Sequence, residues 1–167
     1  MNGKSLKSFL MKTPFFGGLS DEALERISQM LKVRSYPEGS TIFMEGDTGA
    51  SMYIIQSGEV LVVRNGCSGH RVRLARLREG DFFGETTLIE MQPRPVTAHA
   101  ETDLVLLELA NMDLYRLYRE DVKAYVMVVQ NINRELCRRL RWADCRLTEL
   151  ASAAGDEVTQ ISRRSNG

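Results

Sequence analysis

The sequence predicts an α+β chain in which a barrel or sandwich of short strands lies between an N-terminal helical segment and a long C-terminal helix. Three observations carry this reading. Apolar residues recur at helical spacing near the N-terminus. Short apolar runs broken by Gly, Pro, Asp and Asn follow from Val33 to about Leu109. A helical period returns from Val122 onward. The length, 167 residues, suits about one domain. At that size roughly 70% of the unfolded chain's surface can be buried, so one core suffices without covalent staples.

The elements follow in order. Pro14-Phe15-Phe16-Gly17-Gly18-Leu19 is an apolar turn, and Ser20 fits the cap of a helix whose first turn carries Asp21 and Glu22, where negative charge is favoured. Leu24, Ile27, Met30 and Leu31 then share one helical face. Strand runs are expected at Val33–Tyr36, Thr41–Met44, Met52–Ile55, Glu59–Val63, Val72–Leu77, Val96–Glu101 and Val105–Leu109, with turn signals between them. Val122, Val126, Val129, Leu136, Leu140, Ala143, Leu147 and Leu150 form the last stripe. From Val122 to residue 135 it fits a helix packed on its own barrel. From Leu136 it narrows to a heptad-like seam flanked by arginines, which fits the same helix of a second chain better. Ala151 to Gly167 is small and polar and reads as a frayed tail.

Composition removes several classes. Lys plus Arg is 22 and Asp plus Glu is 22, which speaks against a generally basic nucleic-acid binder. The three cysteines, Cys67, Cys137 and Cys145, contain no CxxC pair, so neither a disulfide framework nor a zinc ribbon is expected and a reduced state is the default. No signal peptide and no run near the roughly 20 apolar residues of a membrane span is seen. A cytoplasmic chain without membrane contact is the resulting expectation. An enzyme is not expected: His70 and His99 are far apart, with no His-x-His of a metal-binding barrel and no local context for a nucleophile.

Two glycine-bearing stretches carry the chemistry. Gly46 to Val60 reads GDTGASMYIIQSGEV, and its glycines suit tight turns between strands. The second runs from Leu77 through Gly80-Asp81-Phe82-Phe83-Gly84-Glu85-Thr86-Thr87 to Pro93-Arg94-Pro95-Val96-Thr97. Gly84 permits close backbone approach, and the Glu85 carboxylate suits a diol. Thr86 to Met91 suits one helical turn with free N–H groups, and the Arg94 fork suits phosphate oxygens. These residues fit a sugar-phosphate site, and they equally fit an exposed polar loop.

Together the two stretches resemble the cyclic nucleotide-binding domain family, the β-roll of catabolite-activator-type regulators, kinase regulatory subunits and nucleotide-gated channels. The matching residues are Gly46-Asp47 with Tyr53-Ile54-Ile55, Gly58 and Val60, then Gly80-Asp81, Phe83-Gly84-Glu85, and Pro93-Arg94; the lead-in Pro14 to Ser20 is similar too. The resemblance covers roughly residues 10–140. It implies a β-roll or jelly-roll barrel with N-terminal helices, a short cassette helix and a long C-terminal helix. It divides the chain into 1–135, the nucleotide-binding roll with flanking helices, and 136–167, a dimerisation helix and polar tail. It assigns ligand contact to Phe83, Gly84, Glu85, Thr86, Arg94, Pro95, Val96 and Thr97. Glu85 would hold the ribose 2′-hydroxyl, Gly84 and its neighbours would present backbone donors, and Arg94 would pair with the cyclic phosphate. Ile54, Leu61, Val63 and Leu74 either wall the pocket or belong to the plain core.

Departures from the family pattern refine this. Pro95 follows the arginine where many relatives have Ala, Ser or Thr; it has no N–H for the phosphate and no hydroxyl of the kind that favours guanine. Thr97 lies two residues further on, and Thr86-Thr87 stands where Leu-Ala is common. Lower affinity is implied, with cyclic AMP favoured over cyclic GMP. The expected function is a regulatory module that binds a cyclic nucleotide, dimerises through its C-terminal helix and passes the signal to a downstream protein. Two alternatives are a catabolite-activator-type transcription regulator lacking or separated from its DNA-binding domain, and a β-roll interaction module that has lost nucleotide binding. Direct DNA binding is not expected, since the residues after Leu150 lack a helix-turn-helix pattern. Arg134, Arg138, Arg139, Arg141 and Arg146 read first as a solvated face, and otherwise as a contact for nucleic acid or an acidic partner.

Overall fold

The computed structural model describes residues 3–66 and 70–154; Cys67 and the polar tail beyond residue 154 lie outside the described residues. The chain divides into two compact units, Met1–Asn131 and Ile132–Gly167.

The first unit opens with α1 (Gly3–Lys12), a 3-10 turn (Pro14–Phe16) and α2 (Asp21–Met30). Proline at the first position fixes the φ the turn needs. Ser20 caps α2 as the sequence predicts, its hydroxyl accepting from the Ala23 N–H at 3.2 Å, and Ala23, Leu24, Ile27 and Met30 face inward.

Eight strands follow: β1 (Lys32–Tyr36), β2 (Thr41–Phe43), β3 (Ser51–Ser57), β4 (Val60–Asn65), β5 (Arg71–Leu77), β6 (Phe82–Phe83), β7 (Thr97–Ala100) and β8 (Leu104–Ala110). They form two four-stranded antiparallel sheets, ordered β1-β8-β3-β6 and β2-β7-β4-β5. A short helix α3 (Glu85–Glu90) interrupts the roll between β6 and β7, and α4 (Asn111–Glu120) and α5 (Val122–Ala154) follow β8. This is the predicted β-roll with its inserted short helix and long terminal helix.

The core lies between the sheets. Alternation along each strand sends Tyr53 and Ile55 of β3, Val60 and Val62 of β4, and Leu104 and Leu106 of β8 into one cluster with Phe43 and Phe83. The first sheet is buried on its other face as well: Met52, Ile54, Leu107 and Leu109 are 2% exposed or less. Phe15 of the 3-10 turn meets Phe82 edge to face at 5.1 Å. The N-terminal helical lead is thus the second layer over that sheet.

Three features differ from the sequence reading. Phe82-Phe83, outside the strand runs read from the sequence, pairs with β3 as β6, with Tyr53 opposite Phe83 and Ile54 opposite Phe82. Helix α4 was not legible because it buries only a short apolar pair, Leu114 and Leu117, too little to mark a period. In α5 the inward face of the first unit is Ala124, Val128 and Asn131, whereas Val122 and Val126 are 53% and 44% exposed. The spacing of 4 and 3 is the predicted one, shifted by two residues. A small Ala and a polar Asn hold the buried face, so the strongest apolar stripe is not the core stripe.

Asn131 explains its own burial. Its Nδ2 donates to the Phe15 carbonyl at 2.8 Å and to the Gly17 carbonyl at 2.9 Å, tying α5 to the 3-10 turn. Helix α5 itself is started by Asp121, whose Oδ1 accepts from the Ala124 N–H at 3.0 Å.

In the second unit, α5 exposes Leu140, Trp142, Leu147 and Leu150, each close to 60% or more. Arg138 and Arg139 pair with Glu135, and Arg146 with Glu149, at one helical turn. Among the described residues no helix is long and apolar enough to cross a membrane.

Asn131→Ala leaves two carbonyls without their donor. Unfolding by urea is expected to show a loss of about 1–3 kcal/mol, with Asn131→Asp no better, since a carboxylate cannot donate.

Candidate functional site

The site is built around Arg94, which is 4% exposed. A buried guanidinium must place its hydrogens on acceptors or lose several kcal/mol of solvation. Here Nη1 donates to the Gly84 carbonyl at 3.0 Å and to Thr87 Oγ1 at 3.3 Å, and Nη2 donates to the Ser51 carbonyl at 2.7 Å. The plane lies over Phe43, with Cζ 4.2 Å from the ring centroid, and within 5.8 Å of the Tyr53 ring. Burial pushes the Arg94 pKa down from the ordinary arginine range, and the nearby Tyr53, Asp47, Glu85 and Glu108 oppose that shift. The charge is retained at neutral pH.

The backbone of Arg94 is fixed just as firmly. Its N–H donates to the Asp47 carbonyl at 2.8 Å, and its carbonyl accepts from the Gly46 N–H at 2.9 Å. The loop after β2 is therefore stitched to the segment before β7. Asp47 shapes that loop by accepting the Met44 N–H at 2.8 Å on Oδ2, and Asp81 does the same for the Arg78 N–H at 2.8 Å. The two Gly-Asp pairs of the sequence are thus one turn device used twice, at either side of the site.

Space for the guanidinium comes from two glycines. A Cβ on Gly84 would stand 2.6 Å from Nη1, and Gly84 adopts φ +80°, the left-handed region, as it opens α3. A Cβ on Gly49 would stand 2.7 Å from Nη2 and closer still to Nε. Three of the five guanidinium hydrogens have protein acceptors. The N–H of Nε and one of Nη2 have none among the described residues. These two nitrogens form one edge of the fork, and Gly49 packs so closely on Nε, Cζ and Nη2 that any side chain there would collide with them.

The other predicted residues are placed as follows. Glu85 opens α3 and is 4% exposed, so the reading of Glu85 and Arg94 as an exposed polar loop is overturned: both are carried inward by β6 and α3. Phe83 lies in the inter-sheet core, its ring 5.4 Å from Tyr53 and 5.8 Å from Phe43. Thr86 is half-buried on α3, Pro95 is exposed, and Val96 packs partly buried against the core. The Thr97 hydroxyl accepts from the Glu45 N–H at 2.9 Å, so it braces the loop after β2. Of the four residues set between pocket and core, Ile54 faces away from the inter-sheet space, because Tyr53 and Ile55 on either side of it face in. Val63 is buried, Leu61 half-buried and Leu74 40% exposed.

Sequence reasoning missed Ser51, Thr87, Gly49 and Phe43 as partners of Arg94. Ser51 acts through its carbonyl, which no side chain signals. Gly49 sits in a motif read as turns, and its role is space.

A two-sheet roll whose inserted short helix and flanking loop enclose one arginine holds a buried cation with unused N–H donors, the chemistry that suits an anion. The family description "cyclic nucleotide-binding domain" matches residues 33–121, more than half of the chain, and the chain belongs to that family. It is 35% identical over 139 residues to a cyclic AMP receptor protein of Thermus thermophilus, covering 83% of this chain and 62% of the relative. It is 33% identical over 111 residues to a cAMP-dependent protein kinase regulatory subunit of Aspergillus niger, covering 66% of this chain and 26% of that subunit. The crystal structure of the Thermus thermophilus catabolite activator protein superposes with a TM-score of 0.73 over 83% of this chain and 63% of that one, at 35% identity. The chain thus spans less than two thirds of these relatives.

Gly49→Ala is expected to displace the guanidinium, since the added methyl group would overlap Nε and Cζ. The Arg94 Nε–H signal in 15N-edited NMR should shift or broaden, while Gly39→Ala, with nothing within 4 Å of its added Cβ, should leave that signal in place.

Proposed function

We propose that this chain is a regulatory module that binds cyclic AMP at Arg94 and passes binding on through α5. The observation that carries the reading is the Arg94 fork: buried, held at three points, with the Nε–H and one Nη2 hydrogen left without an acceptor among the described residues. Two adjacent N–H groups on a rigid plane match two oxygens of a phosphodiester. A phosphodiester brings one negative charge and two free oxygens, which offsets a buried cation that no acidic side chain within the fork's hydrogen bonds neutralises.

Glu85, buried at the start of α3, is assigned to the ribose 2′-hydroxyl, with Gly84 and Thr86 beside it. Pro95 supplies no N–H, and Thr97 is engaged with Glu45. Of the two, Thr97 keeps its O–H as a donor; the charge for the anion is assigned to Arg94, and position 95 provides no hydroxyl for a guanine amino group. Cyclic AMP is accordingly the favoured ligand over cyclic GMP, and the relatives named for cyclic AMP support this.

Transmission follows the contacts behind the site. Phe83 and Phe82 are adjacent on β6; Phe82 meets Phe15, and the Phe15 carbonyl accepts from Asn131 on α5. A change at Gly84 and Glu85 thus reaches α5 through one aromatic pair and one side-chain amide. Residues 136–167 are assigned as the dimerisation helix and tail, and 1–135 as the ligand-binding roll. The exposed seam of Leu140, Leu147 and Leu150 suits a second copy of this helix. Arg138, Arg139 and Arg146 pair along their own helix, which favours a solvated face over nucleic acid. The downstream partner is a protein, the compartment is the cytoplasm, and no catalysis is assigned.

Calorimetric titration tests the ligand. The wild type is expected to bind cyclic AMP with a micromolar dissociation constant and cyclic GMP more weakly. Arg94→Ala should weaken cyclic AMP by about 100-fold or more, the loss of two charge-assisted hydrogen bonds. No heat with either nucleotide at millimolar concentration would favour the β-roll interaction module instead. Light scattering tests the seam: a dimer is expected for the wild type and a monomer for the double variant Leu140→Asp, Leu147→Asp, and a wild-type monomer at all concentrations would remove the seam.

A further inference from the structure

The Nη2 of Arg94 rests on the carbonyl of Ser51, and that residue is held in turn from its other end. Ser51 Oγ donates to Glu108 Oε1 at 2.8 Å, and Glu108 Oε2 accepts from Arg34 Nε at 2.7 Å. The three elements involved are neighbours in one sheet: β1 carries Arg34, β8 carries Glu108, and β3 begins at Ser51. Glu108 stands opposite Tyr53 in the register, so it shares the inter-sheet face on which Tyr53 approaches Arg94. Its side chain is 16% exposed, while that of Arg34 is 51% exposed. A continuous line of hydrogen bonds therefore runs from a surface cation, through a mostly buried carboxylate, to the acceptor that sets the guanidinium.

Ser51 is an end residue of its strand. Beyond it lie Gly49, which packs closely on the fork, and Ala50, whose carbonyl accepts from the Asn111 N–H at 2.8 Å. Strand ends fray unless side chains tie them down. The Ser51 hydroxyl supplies such a tie, and a carboxylate acceptor makes it a charge-assisted one. Burial disfavours the charged form of Glu108, but the hydrogen bonds from Arg34 and Ser51 outweigh it and hold the carboxyl below the ordinary carboxylate range. The acceptor is thus an ionised carboxylate at neutral pH, without touching the ligand edge of Arg94.

We propose that Glu108 and Ser51 are positioning residues for the anion site: Glu108 fixes Ser51, and the Ser51 carbonyl fixes Nη2, so that the Nε–Nη2 edge of Arg94 is held in one orientation. This rests on the reading of Arg94 as the phosphate-binding group, and it adds that the affinity of that group is set by a carboxylate on another strand. The aiming requires a planar fork. A lysine at position 94 carries a point charge with no edge to orient, so the influence of Glu108 should vanish in that background.

The test is a double-mutant cycle on the full chain, with cyclic AMP as the probe. Glu108→Gln, which keeps size and shape, is expected to weaken cyclic AMP by about tenfold in the wild-type background. Ser51→Ala, which keeps the carbonyl but loses the hydroxyl, should act in the same direction. In the Arg94→Lys background, Glu108→Gln should change affinity by less than about twofold. An equal loss in both backgrounds would mean a general weakening of the fold and would overturn the proposal, as would unchanged affinity in Glu108→Gln. A second readout needs no ligand: the Arg94 Nε–H signal of the free protein should shift or broaden in Glu108→Gln and in Ser51→Ala. Should the wild type bind neither cyclic AMP nor cyclic GMP, the function proposed above fails, and this signal alone decides. Movement then upholds the positioning of Arg94 toward another anion; an unmoved signal overturns it.

Discussion

Burying one guanidinium is the constraint from which the site follows. Arg94 is 4% exposed, and the cost of taking its charge out of water is met by acceptors drawn from separate parts of the chain: Ser51 on β3, Gly84 before α3, and Thr87 within it. None of these is adjacent to Arg94 in sequence. The strand pairing must be in register, and α3 must be formed, before the guanidinium has anywhere to go. Two glycines then matter for what they lack, since a Cβ on either would meet the fork. The aromatic pair Phe43 and Tyr53 lies against the face of the guanidinium, which makes no hydrogen bonds, and covers it with polarisable surface.

This also accounts for what was legible in the sequence. The strands showed because each sheet has an inward face, which writes a two-residue alternation into Tyr53, Ile55, Val60 and Val62. The Ser20 cap and the Gly-Asp turns showed because one side chain does each task locally, Asp47 for Met44 and Asp81 for Arg78. Glu85 and Arg94 stood out as a carboxylate and a fork close together in sequence. Their burial did not, because it depends on β6 pairing with β3, and a strand of two residues has no period. The same limit hid the Ser51 carbonyl, which every residue type would provide, and the buried face of α5, where Ala124 and Asn131 displace the more apolar Val122 and Val126. Local devices are written in residue types; long-range acceptors are written only in register.

The two layers over the first sheet connect the site to the rest of the chain. That sheet is apolar on both faces, so one strand can feel both the ligand side and the helical side. On β6, Phe83 points into the core with Tyr53 and Phe43, while its neighbour Phe82 meets Phe15. Both precede Gly84, whose carbonyl holds Arg94. A shift of Gly84 therefore moves two rings with opposite orientations: one would disturb the close-packed core, the other the turn that Asn131 grips. The packed core resists displacement. The turn is held to α5 through two hydrogen bonds from one amide, and it is the route assigned to the proposed signal.

Pro95 sharpens the dependence on a single side chain. Pro95 has no N–H to offer, while the Thr97 hydroxyl accepts from the Glu45 N–H and keeps its own O–H as a donor. In the function proposed above, the fork supplies the charge at the anion, so its orientation bears on affinity. The extra hold on Nη2 is consistent with this. The Ser51 carbonyl is braced by an ionised carboxylate, and that carboxylate is braced by a second arginine. A cassette that relies on one guanidinium is better served by a rigid acceptor for it than by a flexible one, and the rigidity comes from three neighbouring strands of a sheet rather than from the loop that carries Arg94.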